Sequence, residues 1–203
     1  MSRRLMILVA VWSILGIGCA GHRSVQTGNI FVNSQNPSIQ IQVDTTLKSL
    51  GEVNFQTTAK GGDWADTLYF QAFPFVETDQ DNRVTKAVMI DFVTTRTSST
   101  YFKWTVADTI EMLCNRDFNF QTGKFSAKQM QTYLGQSGLK IDGNYAGSIW
   151  NRTISPSEVM QIIYFEIIPP TLLWASPQEQ QDFLKDLKSR ATETFTVVQF
   201  DLF

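Results

Sequence analysis

The sequence predicts an α+β domain, a mostly antiparallel sheet with two or three helices packed on one face. Three observations point there. Residues 38–44 alternate strictly, with Ile39, Ile41 and Val43 on one side and Gln40 and Gln42 on the other, the period of a half-buried strand. Residues 67–76 and 101–106 are short runs dense in aromatic side chains, a composition that suits strands. Ser126 stands three residues before Gln129, and Ser176 three before Glu179, which is the spacing of a helix-capping box.

Taken in order, residues 30–32 open the ordered part and residues 33–37 turn the chain into the alternating strand. Val53 and Phe55, two apart, predict another strand within 50–58, and Gly61 and Gly62 end it. In 67–76, Pro74 removes one backbone donor, which suits an edge, a bulge or a bend. The polar stretch 77–82 and the apolar run 83–95 complete a hairpin. Within 101–106, Phe102, Trp104 and Val106 are expected to face the core, while 115–121 fits neither period. A short helix follows over 127–134, with Met130, Tyr133 and Leu134 on one face and Gly135 and Gly138 to end it. Pro156, between Ser155 and Glu158, suits the first turn of a helix. Residues 159–168 are apolar almost throughout, so a buried strand and a continued helix fit them alike. After Pro169 and Pro170 a clearer helix starts at Ser176 and Pro177, with Phe183, Leu184 and Leu187 as its stripe. Lys185, Lys188 and Arg190 lie toward its C-terminal end, where the helix dipole favours cations. Residues 192–203 alternate as a final strand.

Residues 1–18 stand apart. Arg3 and Arg4 precede an apolar run over 5–15, and small residues follow, the layout of a secretory signal peptide. The run is short for a bilayer span. The segment Leu15-Gly16-Ile17-Gly18-Cys19-Ala20 resembles the processing site of bacterial lipoproteins, although Leu15 lies four residues before Cys19 where that class has its leucine three before. The resemblance implies cleavage before Cys19, which would carry a thioether-linked diacylglycerol and an N-terminal acyl chain such as palmitate. Two or three chains make such an anchor durable, each buried methylene contributing roughly 0.8 kcal/mol. Ala20 is not the aspartate that retains such proteins in the inner membrane, so the resemblance points to the outer membrane of a diderm bacterium. Residues 19–29 lack periodicity and read as the lipidated cysteine and a flexible tether, and residues 30–203 as a single α+β domain.

Composition and motifs exclude more than they select. The net charge is −2 and no basic stripe is present, so nucleic acid is not an expected partner. His22 is the only histidine and falls in the tether, which leaves a Ser-His-Asp triad without its base. Cys114 lies in an apolar context and reads as a buried, inert thiol. No cofactor is expected: Gly123 and Lys124 lack the preceding glycines and the adjacent hydroxyl of a phosphate loop, and the supply of zinc ligands is almost all carboxylate. Asp63 and Asp66 flank Trp64, which suggests glycan chemistry, provided the two carboxyls face each other across roughly 5–9 Å. Asp79, Asp81 and Asn82 offer oxygen ligands of the kind calcium takes, and are also ordinary hairpin-turn residues. Trp64, Trp104, Trp150 and Trp174 are the candidate binding aromatics.

These observations lead to a non-enzymatic envelope lipoprotein with a binding or scaffolding role near the membrane. Its partners would be the membrane, through the lipid on Cys19, and an envelope protein. Two alternatives stand beside it: a small-molecule carrier with an aromatic-lined cavity, and a carboxylate-dependent hydrolase of envelope glycan.

Overall fold

The computed structural model describes residues 23–61, 64–95, 109–174 and 176–201, with the backbone alone at 59–61, 64–65, 136 and 173–174. The architecture differs from the expected α+β arrangement. The described strands form two antiparallel sheets in a β-sandwich-like fold, and the two described α-helices lie on opposite faces of the larger sheet rather than together. The small sheet runs in the order β1 (Arg23–Gln26), β2 (Ile30–Asn33), β3 (Ser38–Val43), β12 (Phe195–Asp201). The large sheet runs β4 (Lys48–Ser49), β6 (Trp64–Thr78), β7 (Val84–Thr95), β11 (Glu158–Ile167), β10 (Asn144–Ser155), β9 (Arg116–Ser126), β8 (Thr109–Leu113), and β5 (Val53–Gly61) also pairs with β6. Helix α1 (Ala127–Leu134) links β9 to β10, and α2 (Pro177–Thr194) links β11 to β12 across the two sheets.

Three local expectations change for physical reasons. The helix start at Ser155 and Pro156 is instead the turn of the β10–β11 hairpin, and the run after it is a strand. That strand is buried on both faces, so the alternation that marks a half-exposed strand is erased. Residues 23–26, expected in a flexible tether, form β1. Arg23 fixes its start: it donates to Gln71 Oε1 at 2.8 Å and Glu158 Oε1 at 2.6 Å, and its guanidinium lies 3.5 Å above the Phe92 ring. Cys114 is half-buried in the two-residue turn between β8 and β9, where it and Asn115 have φ of 49° and 59°. Two successive positive φ values match the right-handed twist of a hairpin.

Pro74 lies inside the large sheet without costing it a hydrogen bond. In a strand the N–H and C=O of one residue point to the same side. The Pro74 carbonyl accepts from Leu50 N at 2.9 Å, so its missing N–H faces the passage between β4 and β5, not β7.

Side-chain alternation gives the large sheet two apolar faces. The inner face meets the small sheet and α2: Phe73, Phe75, Val88, Ile90, Phe92, Met160, Ile162 and Trp150 pack with Phe31, Ile39, Ile41, Leu187, Ala191 and Phe195. The outer face carries Ala72, Ala87, Met89, Ile163, Phe165, Tyr145 and Ile149, covered by Met130 and Leu134 of α1. Gly147 on that face lies under the Phe125–Phe165 pair, and a Cβ there would come within 2.5 Å of the Phe125 ring. Both helices have the expected capping boxes, from Ser126 with Gln129 and from Ser176 with Glu179. Arg190 clamps α2 to β11 through a bidentate ion pair with Glu166, which also accepts from the Tyr164 hydroxyl at 2.6 Å. No helix among the described residues is long and apolar enough to cross a membrane.

Candidate functional site

The outer face of the large sheet contains a row of polar side chains. Ala72, Asp91, Gln161, Asn151 and Asn119 are successive cross-strand partners on β6, β7, β11, β10 and β9. The alternation that places Met89, Ile163 and Ile149 on the outer face places Asp91, Gln161 and Asn151 there too. Asp91 is 0% exposed and Asn151 2%. Neither carboxyl oxygen of Asp91 and not the Asn151 amide oxygen has a hydrogen-bond partner among the described residues. Burial disfavours the charged form and holds the Asp91 carboxyl well above the usual carboxylate range.

An aromatic group stands beside this row. Phe55 stacks on Phe70 with ring centroids 4.5 Å apart, and Tyr133 of α1 meets Phe55 edge-on at 5.3 Å. Phe70 is two residues along β6 from Ala72, the Asp91 partner. Burial, and after it the Asp91 charge, push the Tyr133 phenol far above its ordinary range. Tyr133 also lines a groove of about 340 Å³ with Leu50, Glu52, Val53, Asn54, Leu134 and Ser137. At its rim the Glu52 carboxylate accepts from Asn54 Nδ2 at 2.8 Å and Gln71 Nε2 at 3.0 Å.

The residues singled out in the sequence lie elsewhere. Cys19, Asp63 and Trp104 fall outside the described residues, as do the side chains of Trp64 and Trp174. Asp66 is half-buried on β6 and accepts from the Thr67 amide at 2.8 Å. Asp79 organises the β6–β7 turn: its Oδ1 accepts from the amides of Asp81 at 3.0 Å and Arg83 at 2.9 Å, while Asn82 takes a φ of 60°. These contacts give Asp79 and Asn82 turn-forming work. Among the described residues no group of three histidine, cysteine or acidic side chains is placed to hold a metal. Trp150 is fully buried in the sandwich core, wedged between Phe120 at 4.9 Å and Phe195 at 5.2 Å, and presents no binding surface.

No protein family, curated protein or solved structure matches the chain. The site therefore stands on its own geometry. Sequence reasoning passed over Asp91 because it sits in an apolar run, Met89-Ile90-Asp91-Phe92-Val93. The available signal was that interruption: a single acid in a strand whose neighbours are apolar at both parities has no solvent-facing side to occupy.

Proposed function

We propose that the protein is a lipid-anchored, non-enzymatic binding domain of the cell envelope, attached through Cys19 to the outer membrane of a diderm host. The observation that carries this reading is the leader, with its basic start, apolar run and Cys19 between Gly18 and Ala20. The position of β1 adds to it. Three residues separate Cys19 from Arg23, where the folded sheet begins. Those four Cα steps reach at most about 14 Å. A lipid on Cys19 would thus hold the Arg23 end of the sandwich against the bilayer surface, with little of the freedom a longer linker gives. A protein partner would be sought first at the edge strand β8, where Ile110 and Met112 are 67% and 64% exposed.

Intact mass and membrane fractionation of the protein from its own host, beside Cys19→Ala, test the anchor. The expected product begins at Cys19, carries the added mass of two or three acyl chains and sediments with membranes, and the variant loses both properties. A soluble, unacylated product from the unmodified gene would overturn the reading.

A further inference from the structure

We propose that the seam between α2 and β9 binds a small amphiphilic anion, an alkyl chain ending in a carboxylate. The seam is tied at two points. Lys124 of β9 donates to Gln180 Oε1 of α2 at 2.8 Å, and Lys188 of α2 pairs with Glu111 of β8 at 2.6 Å. The helix rises about 12 Å from one tie to the other. Between them the seam opens into a hollow of about 270 Å³, lined by Phe120, Thr122, Gln181, Leu184, Lys185 and Lys188. The periods of the two elements account for that set. Phe120 and Thr122 are two apart on β9 and share the inner face, while positions 181, 184, 185 and 188 form one stripe of α2 beside its core residues Leu187 and Ala191. A smaller hollow of about 50 Å³ shares Leu184 with it and is otherwise lined by Ile168, Leu172, Phe183 and the Lys124–Gln180 tie.

The lining selects the ligand. Its apolar part, Phe120 and Leu184 continuing to Ile168, Leu172 and Phe183, suits a narrow hydrocarbon chain. Its charged part is cationic: among the described residues no acidic side chain lines either hollow. The acids nearby are engaged, Glu111 by Lys188, and Asp182 by Lys185 at 3.5 Å and by Gln178 Nε2 at 2.9 Å. Lys124 is tied to a neutral amide, which leaves its charge to act on a ligand. Lys185 and Lys188 are three apart on one helix face, so each can give an N–H to one oxygen of a carboxylate, and the three donors of an ammonium group let Lys188 keep Glu111 as well. The chain then lies over Leu184 and Phe120 with its end toward the smaller hollow. Hollows of this size take one small ligand, not a bilayer surface or a protein segment. The inference rests on the binding-domain reading and deepens it, but does not rest on the lipid, so failure of acylation and failure of anion binding are separate results.

The test is calorimetric titration of the purified full chain with sodium octanoate, beside three analogues: 1-octanol, which lacks the charge, octylammonium, which reverses it, and acetate, which lacks the chain. Octanoate is expected to bind saturably, about tenfold or more tighter than any analogue, and less tightly as salt is raised, because its head sits among exposed charges. Lys185→Gln should weaken octanoate binding about two- to fivefold. Lys128→Gln, which removes an exposed lysine of α1 on the opposite face of the large sheet, should leave it unchanged. The Lys185 side chain is 70% exposed, so its replacement reads the site without disturbing the fold. The proposal is overturned by absence of saturable heat with octanoate, by an analogue that binds as tightly, by an affinity that salt does not change, or by Lys185→Gln and Lys128→Gln behaving alike.

Discussion

The two faces of the large sheet are built from the same strands, residue by residue in alternation, and they bury different chemistry. On the inner face, Trp150, Phe120, Phe73, Phe31 and Phe195 interlock across two sheets and α2. Its unpartnered buried atoms are neutral, a serine hydroxyl and an indole N–H. The outer face is apolar under α1 and again at Val93 and Val159, but between them the row from Asp91 to Asn119 crosses four strands. The inner face serves to hold the fold together. The outer face gives up some of that role by burying a carboxyl group with no hydrogen-bond partner among the described residues, which is the kind of local conflict that function, more often than stability, retains.

The largest effect expected from breaking this contrast is at Trp150. Removing an indole that is closed in by Phe120 and Phe195 leaves a cavity between two sheets that cannot both collapse into it. Trp150→Ala should cost about 3–5 kcal/mol, read as a lowered midpoint in urea unfolding at unchanged slope. A loss under about 1 kcal/mol would mean that the inner face is loosely packed and that the contrast between faces is wrong.

Asp91 tests the other face through pH. Its folded-state pKa is raised by burial, so the folded chain keeps a proton that the unfolded chain has already lost. Stability is therefore free of this penalty below the ordinary carboxyl range near pH 4. It falls as pH rises from there through the folded pKa, and then levels off. Asp91→Asn should remove that decline, leaving the variant more stable than the parent at neutral pH and little changed in acid. Urea unfolding at a series of pH values measures it; parallel curves for the two proteins would show that Asp91 is already ionised and paired in the folded state.

The contrast also explains how much was legible beforehand. Strand β3 was readable because its Gln side faces outward and preserves the period of two. Both capping boxes were readable because they are local, each a serine and an acid or amide three residues apart. What could not be read was the layering. Strand β11 and its turn resembled a helix start, since a strand covered on both faces shows no alternation and Ser155-Pro156 suits a turn as well as a helix. With β10 unassigned and β11 ambiguous, the centre of the large sheet was missing, and the helices were expected on one face when a wide sheet in fact has both faces to cover. The candidate site depended on that missing register. Asp91, Gln161 and Asn151 are 70 and 10 residues apart along the chain and become neighbours only once β7, β11 and β10 are paired.

The smallest effect, and the finest test of the comparison, comes from the two helix caps. Ser126 and Ser176 make the same contacts, each accepting from the backbone amide three residues on at 3.3 Å while its own amide donates to the Gln or Glu there at 2.8 Å. Ser126→Ala and Ser176→Ala should each cost about 1 kcal/mol where the cap is lost. The consequences should differ because the helices are held differently. Helix α2 has 18 residues, buries Leu187 and Ala191 in the inner core and is clamped by Arg190 on Glu166. Helix α1 has 8 residues and buries Met130 and Leu134. A short helix depends on its ends and on one face, so loss of its cap should open it locally without unfolding the sandwich. Hydrogen exchange should then rise through residues 127–134 in Ser126→Ala, uncovering Phe55 and Phe70 where Tyr133 packs on them, while Ser176→Ala shows only the global shift spread over α2 and both sheets. Equal, uniform loss of protection in the two variants would mean that the outer face is as firmly closed as the inner one, and that α1 unfolds only together with the core.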